Sequence, residues 1–521
     1  MGGIAATFRN NRLRFITLAA LFVVFVMAIQ AMDTSDWAIT VLRGLSVGML
    51  TFLVASGLSL IFGLMDVLNL AHGEMFMLGA YAGWTVFVRP DTFVDVVPLV
   101  AVLAAGVILA SVVQTLLARV KLSATVKRIW PWVVMALGLV VLALTVSRYS
   151  IAIWDLEVFS ESPITYSLAL SQGNLVLPEV EPPDFDPLIS LLGAFIGIAL
   201  LAVGAVGFRD RNKKILSSTV IDRRRVIIAI LLVVVGLIVH FTNDGLTDAL
   251  LGMSTTIRFF LAIGVAILLG IILGAMVEVT LIRPLYQRPI YQLMLTLGLS
   301  FIIIEVVRAI WGRPGFTMPK AALFDGGGDA CPARSLTDLI QHQCSTVIIF
   351  DGRIRTYNEI FIILVGIIVL VGVWLVLQRT RIGMIIRAGV QDSEMVEALG
   401  INVRQVFTLV FALGVGLATL GGVLAAPSVG LSTDMGTRFL LLALIALAIG
   451  GLTSFPGAAA GSILVGLLQQ FMIKYGQIGI NLPFMDEPFK PSPPLVPASV
   501  VLLMVIILLI LPNGLFGRSE S

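Results

Sequence analysis

Apolar residues fall along this chain in runs of about 20, long enough at 1.5 Å per residue to cross a hydrocarbon layer about 30 Å thick. Fourteen such runs predict spanning helices, at about 13–32, 38–65, 67–88, 96–118, 129–147, 188–207, 226–242, 257–282, 290–311, 359–378, 405–427, 438–453, 458–475 and 496–512. The expected fold is therefore an all-α polytopic membrane protein. The first run follows Arg9, Arg12 and Arg14, as the core of a signal peptide does. Met32-Asp33-Thr34-Ser35-Asp36-Trp37 then stands where a small-residue cleavage site belongs, so the run is read as a helix.

Composition agrees with the pattern. Of 521 residues, 58% are hydrophobic and 12% charged, and the mean hydropathy is +1.03. A soluble domain carries about 45–50% apolar and about 25% charged residues, so a cytoplasmic enzyme, a secreted disulfide scaffold and a nucleic-acid binder are excluded. The net charge of +3 steers nothing, but the placement of the basic residues does. With the N-terminus inside and the runs alternating, 21 Lys and Arg fall in inside segments and 8 in outside segments. Basic residues stay on the cytoplasmic side, which predicts both termini cytoplasmic. Residues 148–187 agree, carrying seven acidic residues against one Arg on the outside. Cys331 and Cys344 share the external loop 312–358, where an oxidising compartment permits a disulfide. Two free thiols are the alternative.

Two of the runs are interrupted. In 57–83, GLSLIFGLMDVLNLAHGEMFMLGAYAG, two runs meet with almost no loop, and Asp66, Asn69, His72, Gly73 and Glu74 sit at the junction. In 447–461, LAIGGLTSFPGAAAG, the interruption falls at Gly450, Gly451, Pro456 and Gly457. Helices that move solutes break where backbone lines a cavity, and paired interruptions point to a pathway. A plain reading stands beside this one, with solvated turn carboxylates, a core histidine and Gly/Pro turns near the cytoplasmic face. Gly44/Gly48 and Gly79/Gly83, each four apart, suit close helix packing. Glu305 and Arg308, three apart on one helix, suit pairing with each other.

The inside segment 379–404, RTRIGMIIRAGVQDSEMVEALGINVR, has the marks of a short built helix. Asp392 or Ser393 is a good N-cap, Glu394 suits the first turn, and Gly400 suits the residue past the end. Met395, Ala398 and Leu399 share one face, with Ile401 beyond and Arg387 upstream. Two turns do not hold themselves helical in water. The element therefore needs the membrane surface or a partner's groove to pack on.

The pattern R-A-x-x-x-D-x-x-M-x-x-x-L-G-I-N, Arg387 to Asn402, resembles the cytoplasmic segment of branched-chain amino acid ABC-transporter permeases. Three more stretches resemble the same family in the same order. GLMDVLNLAHGEMFMLGAYAG (63–83) is similar to its N-F-A-H-G-E segment, with Leu70 in place of the usual aromatic. RPLYQRPIYQLMLTLGLSF (283–301) is similar to its R-P-x-R…I-x-T-I-G-L-S-F stretch. AIGGLTSFPGAAAG (448–461) is similar to its glycine-rich turn, with Thr453 where a Gly is usual. The tail LLILPNGLFG (508–517) also fits, and together they point to the H-type of the two permeases of the Liv system. The resemblance covers about 38–95 and 257–521. It implies an N-terminal helix (1–37), a permease core in two parts, and an inserted four-helix segment at 96–256, whose even number keeps the flanking core's orientation.

The resemblance further implies a complex. The chain holds no G-x-x-x-x-G-K-[ST] loop, so ATP is expected on two separate ATPase subunits, with a second permease and an extracytoplasmic solute-binding protein. The chain itself is expected to hold no cofactor or metal and to be no enzyme, its three histidines falling in unrelated segments. Arg387, Asp392, Glu394, Met395, Ala398, Leu399, Gly400 and Ile401 are the expected ATPase contact. Asp66, Asn69, His72, Gly73, Glu74, Gly450, Gly451, Pro456 and Gly457 are the expected pathway or gate. Branched-chain amino acids are the expected solute, with urea or short amides as the alternative within the family. An ion-coupled carrier working through Asp66, Glu74 or Glu305 is the alternative from another class.

Overall fold

A computed structural model of the protein describes residues 16–17, 19–23, 32–117, 124–151, 186–209, 223–286, 288–328, 330–349, 351–391, 393–480 and 487–517. Most of the first apolar run, the acidic stretch of 148–187 and the basic stretch around 210–222 lie outside them, as does Asp392. The described residues form two compact units, one of 16–84 with 254–517 and one of 85–151 with 186–253.

The first unit opens with α1 (Thr34–Met65) and α2 (His72–Val88), whose last turn leads into the second unit. At 32 residues α1 is longer than a span needs. Thr40 and Thr51 turn their hydroxyls back onto the helix's own backbone, at Asp36 O (2.7 Å) and Val47 O (2.9 Å), while Ser59 reaches Leu452 O (3.2 Å).

The second unit contains α3 (Pro90–Leu117), α4 (Ala124–Val146), α5 (Pro187–Arg209), α6 (Arg223–Phe241) and the short α7 (Asn243–Gly252). α4 and α5 cross backbone to backbone, Gly138 against Gly197. Polar groups gather at one end of this unit. Arg89 holds Asp91 through Nη2 (2.7 Å) and Nε (3.0 Å). Asn243 Nδ2 donates to Asp95 Oδ1 (2.5 Å), and Tyr149 OH donates to Asp95 O (3.1 Å). Burial, with the neighbouring Asp95, pushes the Tyr149 hydroxyl up to about 12.

The chain then returns to the first unit through α8 (Thr255–Val277) and α9 (Pro289–Trp311). A folded loop follows, with α10 (Leu336–His342) and an antiparallel hairpin of β1 (Thr346–Ile349) and β2 (Gly352–Arg355) in the register Thr346↔Arg355. Cys331 and Cys344 are joined by a disulfide in this loop. Ala333, Cys344, Val347 and Ile354 form its buried core, packed on Ile39 and Leu42 near the start of α1. Next come α11 (Ile362–Arg379), α12 (Arg381–Gln391), α13 (Ser393–Ala398), α14 (Val403–Val429), α15 (Met435–Gly450), α16 (Phe455–Ile478) and α17 (Leu495–Ile510). Ile386 of α12 packs with Leu60 and Met65 at the other end of α1. The disulfide loop and the 379–404 segment therefore lie at opposite ends of that helix.

Among the described residues ten helices are long and apolar enough to cross a membrane. Three of the predicted runs become shorter helices: α2 with 17 residues, α15 and α17 with 16 each. Glu305 and Arg308 pair on α9 (2.6 Å).

The centre of the first unit is packed through glycine. A Cβ on Gly422 of α14 would stand 1.8 Å from Phe76 O of α2, and one on Gly57 of α1 would stand 2.2 Å from Gly414 O of α14. Only hydrogen at those positions lets the backbones come so near. A methyl group on Gly264 of α8, by contrast, would meet nothing within 4 Å. Gly422→Ala is expected to destabilise the detergent-solubilised protein by about 1–3 kcal/mol through overpacking. Gly264→Ala should be neutral, or stabilising by about 0.5–1 kcal/mol from helix propensity. Thermal unfolding of the two variants side by side checks this, and equal midpoints would contradict it.

Candidate functional site

α1 stops at Met65, where Asp66 takes a left-handed conformation (φ 52°) and its N–H donates to Phe62 O (2.9 Å). Asp66 is exposed there as an end-of-helix residue. The chain then runs without helix to His72, back inside the bundle. His72 Nε2 donates to Val54 O (3.2 Å), so α2 begins level with a part of α1 roughly two to three turns before that helix ends. The junction is thus not a turn at the membrane face: Asn69, His72 and Glu74 are all buried. The broken backbone is satisfied locally. Asn69 Oδ1 accepts from Ala71 N (3.1 Å), Asn69 O from His72 N (3.2 Å), and Thr296 Oγ1 of α9 from Leu70 N (3.3 Å).

Glu74 stands in the first turn of α2 and meets the first turn of α15. Gly73 and Gly436 lie in backbone contact, since a Cβ on Gly73 would stand 2.3 Å from Gly436 O. Glu74 Oε1 accepts from Ser300 Oγ of α9 (2.8 Å) and from Thr437 Oγ1 of α15 (3.1 Å). No cation pairs with it among the described residues, and Oε2 has no hydrogen-bond partner. Two helix N-termini, each with a partial positive charge, supply the field that a counter-ion would otherwise supply. Asn69 Nδ2 and His72 Nδ1 are also buried without partners. Thr437 is exposed, and beside it Arg438 pairs with Asp434 (2.6 Å), both more than half exposed.

The structure thus brings Asn69, His72, Gly73 and Glu74 together and adds Thr296, Ser300 and Thr437, which the sequence reading passed over. The available signal was the four-residue spacing of Gln292, Thr296 and Ser300, which α9 buries on one stripe. Gly450, Gly451, Pro456 and Gly457 lie elsewhere, about 20 Å along α15 from Thr437. They build a tight corner: Gly450 and Gly457 touch through their backbones, Gly451 has φ 108°, and Ser454 Oγ caps α16 by accepting from Gly457 N (3.1 Å). The tail closes it, Leu515 N donating to Ile449 O (2.8 Å) and Phe516 N to Gly450 O (2.9 Å).

In the 379–404 segment, α13 ends in a Schellman turn: Gly400 has φ 82°, its N–H donates to Glu397 O (3.0 Å), and Ile401 N donates to Val396 O (3.3 Å). Val396 is buried, whereas Met395 is 59% and Leu399 72% exposed, with Ala398 exposed between them. Glu394 lies in the first turn. Arg387 turns back instead, donating to Leu377 O and to Gln378 Oε1 (3.5 Å) at the end of α11. Among the described residues no group of His, Cys, Asp or Glu is arranged to hold a metal ion.

A bundle of membrane-length helices, broken where buried polar groups collect, is the build of a multi-pass membrane permease. A family model described as the permease component of branched-chain amino acid transport systems matches residues 40–247 and 229–511, and the chain belongs to that family. It is a multi-pass protein of the bacterial inner membrane, and permeases of this kind are not enzymes. The high-affinity branched-chain amino acid transport system permease protein BraD of Pseudomonas aeruginosa is 32% identical over 174 residues, which are 33% of this chain and 51% of BraD. The corresponding LivH protein of Escherichia coli K12 is 26% identical over 172 residues, 33% of this chain and 51% of LivH. The fructose import permease protein FruF of Bifidobacterium longum is 25% identical over 234 residues, 43% of this chain and 57% of FruF. The chain spans just over half the length of each of these relatives. No solved structure matches it.

Glu74→Gln keeps an acceptor for Ser300 and Thr437, whereas Glu74→Ala strands the buried Ser300 hydroxyl and cuts the tie to Thr437. The alanine variant is expected to unfold at the lower temperature in detergent, its loss about 1–3 kcal/mol. Indistinguishable melting curves for the two variants would show that the carboxylate does not tie these helices.

Proposed function

We propose that this chain is a membrane-spanning subunit of an ATP-driven importer that carries branched-chain amino acids, or related small solutes, inward. The observation that carries the reading is the tip of α13. Met395 and Leu399 project an apolar face from a helix already built and capped, with Val396 anchoring it from behind. Such a tip suits a hydrophobic groove on a partner, here an ATPase subunit, because the chain has no phosphate-cradling loop of its own. Arg387 supports this contact from the rear by capping α11, and Asp392 and Glu394 suit the start of the helix. An ion-coupled carrier has no use for this element.

In this reading the α13 tip and both termini face the cytoplasm, and the disulfide loop faces the oxidising side, where a solute-binding protein delivers its load. Residues 96–256 are then an inserted scaffold between two parts of the permease core. The pathway passes the cluster of Asn69, His72, Gly73 and Glu74. A zwitterion leaving water needs polar groups of both kinds, and the unpartnered Asn69 Nδ2, His72 Nδ1 and Glu74 Oε2 offer them. The exposed Asp434–Arg438 pair is costly against lipid, which supports a water-lined channel or a second permease on that face. The solute class follows BraD and LivH by name.

Purification of the tagged chain from its native membrane in mild detergent, with mass spectrometry of what stays bound, tests the class. ATPases bearing a phosphate-binding loop and a second permease are expected. Recovery of this chain alone, active in liposomes under an ion gradient, overturns the proposal. Leu399→Asp is expected to insert normally while ATP-dependent uptake falls at least roughly tenfold, the loss expected of a buried contact residue. Uptake at the unaltered rate would remove α13 as the docking element.

A further inference from the structure

We propose that a clamp on the buried Glu278, made by the half-buried Arg283 and Thr408, carries the movement of α13 to α9, the helix whose Ser300 bonds Glu74; the proposal rests on the importer reading above. α8 does not end as a regular helix. It widens into a π turn, Glu278–Ile282, and then tightens into a 3₁₀ turn, Arg283–Leu285. Such irregular turns are frequent where a helix must bend or serve a function. Within this turn the Glu278 side chain is fully buried.

Its partners form a closed set. Arg283 donates to Glu278 through Nε (3.0 Å) and Nη2 (2.7 Å). Thr408 Oγ1 of α14 accepts from Arg283 Nη2 (2.6 Å), and its one proton is shared between Glu278 Oε2 (2.7 Å) and Arg404 O of its own helix (2.9 Å). Tyr286 OH donates to the other carboxylate oxygen. A two-pronged guanidinium–carboxylate pair fixes distance and angle together, and stranding a buried carboxylate is costly. α8 therefore cannot slide past α14 at this point as two apolar surfaces can.

The clamp joins the two ends that matter. On one side, the four residues between α13 and the start of α14 at Val403 are fixed by the turn at Gly400 and by Asn402 Oδ1 accepting from Gln405 N (3.3 Å), so the α13 tip is tied closely to Thr408. On the other side, Leu285 O accepts from Gln292 Nε2 of α9 (2.8 Å). Gln292 heads the stripe whose next members, Thr296 and Ser300, bond Leu70 N and Glu74. Side-chain bonds at Thr408, Gln292, Thr296 and Ser300, joined by stretches of continuous helix, thus link the α13–α14 junction to the break between α1 and α2. A rigid shift of α13 moves α14, the clamp moves the end of α8, and α9 moves against Glu74.

The test uses the assembled complex, with its ATPase subunits and loaded binding protein, in proteoliposomes. Thr408→Val keeps the shape and removes the hydroxyl. ATP hydrolysis is expected to stay within about twofold, while solute taken up per ATP falls roughly tenfold, and Thr408→Ser restores the ratio. A residue that only stabilised the fold would lower both rates together with the amount of complex. An unchanged uptake ratio in Thr408→Val overturns the clamp. Should that variant fail to assemble, Glu278→Gln keeps the shape but removes the charge that holds Arg283 and Thr408, and an unchanged ratio there overturns it equally. An unaltered complex with no ATP-dependent uptake would overturn the importer reading, and the clamp with it.

Discussion

A backbone that leaves helix inside an apolar bundle must find a partner for every N–H and C=O it frees, because no bulk water reaches it. The segment 66–71 is where this protein meets that demand, and the surrounding structure is arranged to answer it. Asn69 satisfies Ala71 N with its side chain and His72 N with its carbonyl. Leu70 N finds its acceptor outside its own segment, at Thr296 Oγ1 on α9. α9 is thereby held to the break by a bond that its mostly outward-facing apolar side chains could not make.

The same constraint explains Glu74. A helix starting inside the bundle points its positive end at whatever faces it, and here two helices, α2 and α15, start side by side. Their joint field favours a negative group, and Glu74 provides one with hydroxyls on both flanks. The closeness needed for this comes from residues without side chains. Gly73 and Gly436 let the two starts touch, and Gly422 lets α14 lie on the backbone of α2. The glycines bring the helices within reach, and the carboxylate fixes how they meet.

The fold was legible in the sequence wherever one physical requirement acts along the chain. Apolar run length is such a requirement, and so is the four-residue spacing of Gly44/Gly48 and Gly79/Gly83, all of which pack on neighbouring helices. The helix end at Gly400 was legible for the same reason, since few residues other than glycine take its φ of 82° at little cost. The site was legible only in part. Asn69, His72 and Glu74 stand out because polar groups are dear in an apolar run. Ser300, Thr296 and Thr437 do not, because a hydroxyl in a helix is ordinarily satisfied by its own backbone, and sequence does not say when it reaches across instead. The placement of the break was hidden as well. Six residues without helix read as a surface turn, and only the bond from His72 to Val54 O shows that they lead back inward. Glu278 carried a signal that went unused, a carboxylate in an apolar helix with Arg283 five residues on.

The two ends of α1 differ in kind, and the difference bears on how such a protein works. At one end, the loop with the Cys331–Cys344 bridge has its own buried core and hairpin, so its shape does not depend on a partner. At the other end, α13 is too short to be helical by itself. It is held by Val396 behind, by the turn at Gly400, and by α12, which Arg387 and Ile386 fasten to α11 and α14. If α13 docks on a partner as proposed above, an element ordered in this way pays little entropy on docking. It also has no loose joint in which a push could be lost. Stiffness at the tip and irregularity at the end of α8 then belong together. If the contact surface is rigid and the helices beyond it must rearrange, the bending has to occur further in, and the π and 3₁₀ turns at 278–285 are where the first unit is least regular between the tip and Glu74.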